Sequence, residues 1–371
     1  MSNFDVVIGN GYGDEGKGLI TDWLSTPDSI VVRFNGGAQA GHTVLNSAGT
    51  RHVFHHFGSG TFQRAPTFLS RFFACDPILF EREREQLLVL TINPRVYVDP
   101  MSPIVTPYDV LLNQLTEKVR GHVRHGSCGC GFGEAMRRQE ERPERLFVAD
   151  LDSPILLEKL LAIERATKNE VQQRGLVTGS GWGTLNEDFL TCRKLFLSAA
   201  NAFIRHVTLI SFEELQTNMP RHLVFEGAQG LLLDREIGMF PHVTRSKTGL
   251  ANVATLLGSR FAEAHVYFIS RCYMTRHGEG PLQREEPLPD WVVDPTNVQN
   301  DWQGALRYAV YDNELLAWAR RRALAEVPRL EGRHEVVTTC LDQITERDRR
   351  VIHDRSDFVS YGPTRDAVRA A

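Results

Sequence analysis

The first 35 residues place the tightest limit on what this chain can fold into. Residues 4–10 (FDVVIGN) form a short, largely apolar run ending in glycine and asparagine, the pattern of a buried strand. Lys17–Leu24 (KGLITDWL) then spaces Leu19, Ile20, Trp23 and Leu24 as a helix does, and residues 29–34 (SIVVRF) read as a second strand. The first strand and the helix are joined by Gly11-Tyr-Gly-Asp-Glu-Gly-Lys17-Gly18. Strand, glycine loop, helix and strand in so short a stretch make a βαβ unit. They predict an α/β fold, a mainly parallel central sheet flanked by helices.

The chain has 371 residues, no internal repeat and no long linker, so one domain over residues 1–371 with surface elaborations is expected. A net charge of −4 argues against a polybasic nucleic-acid surface. No apolar run approaches the roughly 20 residues that span a bilayer, and MSNFDVV lacks the basic and apolar regions of a signal peptide. A cytoplasmic protein with no membrane or nucleic-acid partner is expected. Cys75, Cys128, Cys130, Cys192, Cys272 and Cys340 form no CxxC pair and read as reduced thiols.

Further strands are expected at 87–92, 145–148, 222–225, 265–270 and 335–339. Helices are expected at 154–166, 188–202 and 303–326 and near the C-terminus. Loops are expected at 126–133, 178–183 and 279–289, and the charged stretch 137–145 should be solvated.

A glycine loop between a strand and a helix lets backbone N–H groups and the helix N-terminus meet a phosphate, with Lys17 adding a point charge. Gly11-x4-Gly16-Lys17 fits the P-loop spacing, except that Gly18 stands where a Ser or Thr should reach Mg²⁺. Asp14, inside the loop, offers the ion an oxygen instead. Gly11, Gly13 and Gly16 also match the dinucleotide fingerprint, but the second strand runs into Arg33-Phe-Asn-Gly-Gly37 without the carboxylate that reading wants. A purely structural turn is the remaining alternative. A second glycine-rich loop, Asn35-Gly-Gly-Ala-Gln-Ala-Gly41-His42-Thr43, again follows a strand. Neighbouring parallel strands would release both loops on the ligand-binding edge, with Asp14 and His42 as an acid–base pair beside a phosphate.

These loops, together with Phe225-Glu-Gly-Ala-Gln-Gly-Leu-Leu-Leu-Asp234, Thr275-Arg-His-Gly-Glu-Gly-Pro281 and Gly362-Pro363, resemble the adenylosuccinate synthetase family. The resemblance runs in order through nearly the whole chain. It implies a C–N ligase that phosphorylates O6 of a purine nucleotide with a nucleoside triphosphate and then displaces that phosphate with L-aspartate. By the same resemblance Asp14 is the base for N1–H and a Mg²⁺ ligand, His42 is the acid at the 6-oxygen, and Gly41 gives Mg²⁺ its carbonyl. The triphosphate would lie on Gly13, Asp14, Glu15, Gly16, Lys17, Gly18, Gly41, His42 and Thr43, with Asp342, Gly362 and Pro363 at its base. The purine monophosphate would meet Asn35, Gln39, Ser127, Cys128, Arg142, Gln229 and Thr244. Aspartate would meet Gln303 and Arg307, and the family's usual homodimer is expected.

Three departures narrow the resemblance. Trp302-Gln-Gly-Ala-Leu-Arg-Tyr308 keeps only Arg307 of a run of arginines, and Ala305 replaces one that reaches the ribose 2′-OH. Cys340 stands where many members carry lysine in the guanine-reading motif, which leaves ATP, dATP and GTP open as donors. Pro143 takes the place of the arginine that crosses between subunits, with Arg142 and Arg145 beside it. These features resemble the phage-encoded branch of 2-aminoadenylosuccinate synthases, which implies dGMP as substrate and host cytoplasm as its place of action. An ordinary family member would use IMP with GTP.

Overall fold

The computed structural model describes residues 4–121, 127–178, 181–219, 221–292, 294, 302, 304–327, 330–345 and 355–371. Strands follow in chain order as β1 (Phe4–Gly9), β2 (Ser29–Arg33), β3 (His42–Leu45), β4 (Arg51–Phe54), β5 (Thr67–Leu69), β6 (Val96–Val98) and β7 (Thr208–Leu209). They continue as β8 (His222–Gly230), β9 (His265–Arg271), β10 (Met274–His277), β11 (Glu285–Glu286), β12 (Leu306–Ala309), β13 (His334–Thr339), β14 (Phe358–Ser360) and β15 (Val368–Ala370). The helices are α1 (Lys17–Leu24), α2 (Pro77–Val89), α3 (Pro107–Arg120), α4 (Phe132–Glu141), α5 (Leu156–Gln173), α6 (Gly181–His206), α7 (Phe212–Asn218), α8 (Ala251–Leu257) and α9 (Asn313–Ala325).

Among the described residues, ten strands form one sheet in the order β15-β14-β13-β9-β1-β8-β2-β5-β6-β7, parallel except for the β14–β15 pair. The expected α/β class is what the chain adopts. Its central strands are buried on both faces, which explains their near-continuous apolar runs. Val6, Ile8, Ile30, Val32 and Phe225 pack toward α8 and α9. Val7, Val224 and Ile269 pack under Leu19 and Ile20 of α1. Burying each such side chain stabilises the sheet by about 1.5–3 kcal/mol. A second core joins α2, α3, α5 and α6 around Phe80, Tyr108, Phe189 and Phe203. No helix among the described residues is long and apolar enough to cross a membrane.

Strands β1 and β2 do not pair. The α1 crossover skips one position and β8 fills it, with Glu226 in register with Val7 on one side and Arg33 on the other. Both glycine loops still leave the same sheet edge because all three strands are parallel, and the end of β8 arrives between them.

Other expectations need correcting. Residues 87–92 are not a strand but the end of α2 and the turn after it; that helix starts where Asp76 caps the N–H groups of Ile78 and Leu79 ahead of Pro77. Residues 145–148 make one isolated bridge, Phe147 to Pro103, followed by a 3₁₀ turn. The alternation of buried Leu146 and Val148 imitates a strand that has no ladder beside it. The helix expected over 303–326 begins only at Asn313, capped by Asp312. Before it, Leu306–Ala309 is a strand held by β10 and β11. The described C-terminal residues form β14, β15 and a 3₁₀ turn instead of a helix. Within the stretch expected to be solvated, Arg138 is buried and forks onto Asp109 at 3.0 and 2.9 Å, tying α4 to α3.

Candidate active site

The glycine loop after β1 is organised around its own carboxylate. Glu15 Oε1 accepts the N–H groups of Gly11 at 3.0 Å and Gly13 at 2.7 Å, while Oε2 pairs with Lys17 Nζ at 2.6 Å. Both side chains are almost fully buried. Gly9 and Gly230 leave room for this arrangement, since a Cβ at either position would lie 2.5 Å from a Glu15 carboxylate oxygen. The N–H groups of Gly11 and Gly13 and the lysine charge are therefore engaged by Glu15. What the loop presents outward is Asp14.

Asp14 sits in the left-handed region (φ 61°), a conformation that costs a non-glycine residue about 1 kcal/mol and must be held by its surroundings. Arg271 Nε donates to its carbonyl oxygen, and Arg271 is anchored in turn by Asp294 at 2.6 Å. His277 Nδ1 lies 3.0 Å from Asp14 Oδ2. Burial works to raise the Asp14 carboxyl, but the His277 hydrogen bond and the charges of His277, Arg271 and Lys17 outweigh it and hold the group below the usual carboxylate range. Asp14 is therefore ionised at neutral pH, as a proton acceptor must be.

His42, at the start of β3, is backed by a buried ionic cluster. Its Nδ1 lies 2.6 Å from Glu226 Oε1, Arg33 Nη1 lies 3.3 Å from Glu226 Oε2, and Ser59 adds its N–H at 3.1 Å and its hydroxyl. Arg33 and Glu226 have no exposed side-chain surface. Burial alone would raise Glu226; the His42 and Arg33 charges and the hydrogen bonds to it bring it down to about 2. Burial pushes the His42 imidazole down to about 4 against the pull of Glu226. At neutral pH the ring is neutral, its Nδ1–H donates to the ionised carboxylate, and Nε2 carries the lone pair.

Both residues line one cleft of about 1130 Å³. Of the expected triphosphate residues, Gly13, Glu15, Gly16, Lys17, Gly18, Gly41 and Thr43 also border it, as do Gln39, Ser127, Cys128, Gln229 and Thr244 of the purine set. Neither the amide nitrogen nor the amide oxygen of Gln39 has a hydrogen-bond partner among the described residues. The Ser127 hydroxyl donates to Asn113 and accepts the Gly129 N–H, which shapes the loop ahead of α4. Gln229 has φ 66°, bending the end of β8 into the cleft.

The remaining expected residues lie elsewhere. Asn35 is fully buried and uses its whole amide on the backbone of Ala228 and Lys247, bracing the end of β8 against the loop at Lys247. Arg142 ends α4 and pairs with Glu170. Arg307 on β12 is forked onto Glu285 and donates to the carbonyls of Gly278 and Gly280. Asp342, Gly362 and Pro363 follow β13 and β14 outside the cleft lining. Gln303 lies outside the described residues.

No group of three or more His, Cys, Asp or Glu converges as a metal site among the described residues. Asp14 Oδ1 takes no hydrogen bond there, and Asp14 and Gly41 border the same cleft. That donor set fits an ion that takes most of its oxygens from phosphates and water, as Mg²⁺ does.

Sequence reasoning missed Glu226, Arg33, Ser59, Arg271 and His277. A signal existed for the first two: each is a charge inside an otherwise apolar buried strand, VVRF and LVFEG.

Comparison with known proteins identifies the family. Residues 6–299 match the family model described as adenylosuccinate synthetase. The adenylosuccinate synthetase of Picrophilus torridus is 31% identical over 84% of this chain and 74% of its own length. That of Desulfosudis oleivorans is 30% identical over 94% and 79%, and that of Clostridium novyi is 32% identical over 77% and 66%. Fully ligated adenylosuccinate synthetase from Plasmodium falciparum superposes with a TM-score of 0.75 at 17% identity, covering 100% of both chains. The cyanophage S-2L succinoaminodeoxyadenylate synthetase, bound to dGMP and dATP as an energy donor, superposes with a TM-score of 0.70 at 17% identity over 100% of this chain and 95% of its own. With the family model covering most of the chain and relatives at about this identity along most of its length, the chain belongs to the adenylosuccinate synthetase family, a family of C–N ligases.

Proposed function

We propose that the protein joins L-aspartate to C6 of a purine monophosphate through a 6-phosphoryl intermediate, and that its substrate is dGMP. The observation that carries the reaction is the convergence of an ionised Asp14 and a carboxylate-backed His42 on one cleft. Asp14 takes the N1 proton, which makes the 6-oxygen nucleophilic, and that oxygen accepts the γ-phosphoryl group as the nucleoside diphosphate leaves. His42 serves the 6-oxygen as an acid in its protonated form: the ring takes a proton from water, ionised Glu226 stabilises the imidazolium through Nδ1–H, and Nε2–H donates to the 6-oxygen as negative charge develops there. The aspartate amine then adds at C6 and inorganic phosphate departs. Mg²⁺, held by the Asp14 carboxylate and the Gly41 carbonyl, would offset charge on the transferring phosphoryl group.

The choice of dGMP is supported by Ala305, which removes a donor for a ribose 2′-OH; Cys340 in the guanine-reading motif bears on the triphosphate and leaves ATP and dATP open beside GTP. It is compatible with the fold shared with the cyanophage enzyme bound to dGMP and dATP. The second reading, IMP with GTP, is favoured by the curated relatives, which are adenylosuccinate synthetases. Under either reading a homodimer acts in the cytoplasm. The test is kcat/KM for dGMP and for IMP with aspartate, Mg²⁺ and each of ATP, dATP and GTP. A preference for dGMP of at least about tenfold is expected, and a preference for IMP removes the first reading.

A further inference from the structure

His277 has no part in the roles described so far, yet it is the side chain that grips the proposed base. It closes β10, is largely buried, and brings Nδ1 to 3.0 Å from Asp14 Oδ2. Its other nitrogen, Nε2, is buried with no hydrogen-bond partner in a ring that lines the cleft.

The strand behind His277 is fixed from several sides. Arg276 donates to the carbonyls of Pro281 and His242 at 2.9 and 3.1 Å and lies over the Tyr12 ring at 4.6 Å. β10 pairs with β12 so that Arg276 opposes Arg307 and His277 opposes Leu306. The strand that holds Asp14 is thus laced to the strand that carries the proposed aspartate-binding arginine. Asp14 needs such a hold: its backbone is left-handed, and among the described residues only Arg271 hydrogen-bonds its carbonyl and only His277 its carboxylate.

We propose that His277 is the positioning residue of the Asp14 carboxylate: its imidazole holds Oδ2 and so fixes the rotation in which the carboxylate meets the purine N1–H. This rests on the reaction assigned above. A carboxylate locked in the productive rotation raises kcat without changing how tightly the nucleotide binds, because the locked geometry matters at proton transfer.

The test compares the wild type with H277L, H277N and D14N by steady-state kinetics on whichever of dGMP and IMP is turned over, and by calorimetric titration of the same monophosphate. H277L should lower kcat about 10–100-fold, with KM and Kd for the monophosphate within about threefold of wild type. H277N, whose side-chain N–H falls near the Nδ1 position, should recover at least about tenfold of that loss. The proposal is overturned if H277L keeps kcat within about threefold, if H277N and H277L fall alike, or if the loss appears in Kd instead. Should H277L show no melting transition, H277N is compared with H277Q, whose N–H reaches toward the Nε2 position. H277N must then be the faster, and equal rates overturn the role. D14N active at the wild-type rate would remove the reaction itself. D14N inactive with H277L unimpaired would remove only the positioning role.

Discussion

Glu226 Oε1 lies 2.6 Å from His42 Nδ1, and the two residues come from strands that are far apart in the chain and adjacent in neither sequence nor sheet. The contact sets the tautomer of His42 and so decides what its other nitrogen can do. Replacing the carboxylate with its neutral isostere keeps the shape and removes the support for a protonated ring. E226Q is expected to lower kcat by about 10²-fold or more. E226A should also leave Arg33 buried without its partner and destabilise the fold by about 3–5 kcal/mol. Urea unfolding separates the two effects: an E226Q chain as active as wild type would count against the His42 assignment.

D14N removes the proposed base while keeping the volume. Turnover should fall by about 10²–10⁴-fold, with a thermal transition close to that of the wild type. Measured kcat above a tenth of wild type would show that another group takes the proton.

Arg307 is forked onto Glu285, a half-exposed carboxylate on the neighbouring strand. If Arg307 receives a carboxylate of aspartate, Glu285 competes for the same donors. E285Q should lower KM for aspartate by about two- to fivefold with kcat nearly unchanged, the range set by an exposed ion pair worth at most about 1 kcal/mol. An unchanged or raised KM would mean that aspartate binds without displacing Glu285.

Glu83 provides a pH-dependent stability test. It is buried, accepts the N–H groups of His55 and His56 at 2.8 Å, and has His52 and His56 rings beside it. Burial works to raise this carboxyl, but hydrogen bonds to His52 and His56 and the nearby histidine charges bring it down to about 2. A folded-state value below the unfolded one means that the ionised form stabilises the fold. That stability is fully present above the unfolded value of about 4.3 and is lost as pH falls toward 2. The gap corresponds to a contribution on the order of 3 kcal/mol. E83Q should be less stable than wild type at pH 7, and the difference should close between about pH 4.5 and 2. A difference independent of pH would place the stabilisation in packing instead.

The βαβ opening was legible because its information is local. Apolar runs of strand and helix length, a glycine loop between them and the Lys17 helix start all lie within one stretch of sequence, and the structure has β1, α1 and β2 there with boundaries moved by at most a residue. The two glycine loops pointed to Asp14 and His42 and the family resemblance to Gln39, Gln229 and Thr244, and all five border one cleft. Where one local pattern serves two structures, the reading went astray: the apolar run at 87–90 suits a strand, yet Asp76 and Pro77 begin a helix that runs into it. Leu306–Ala309 became a strand because β10 and β11 offered it backbone partners, which no local pattern records.

The sequence by itself determined the α/β class, the two glycine loops and the kinds of side chain they carry, because backbone preference and hydrophobic period act between near neighbours. Only the tertiary structure decided that β8 inserts between β1 and β2, that Glu226 backs His42, that Glu15 turns inward onto Lys17 and that His277 reaches Asp14. Those contacts join residues tens to hundreds of positions apart, or choose between partners equally near in sequence. Which buried charge meets which counter-charge is settled by sheet order and by the cost of leaving either one unpaired.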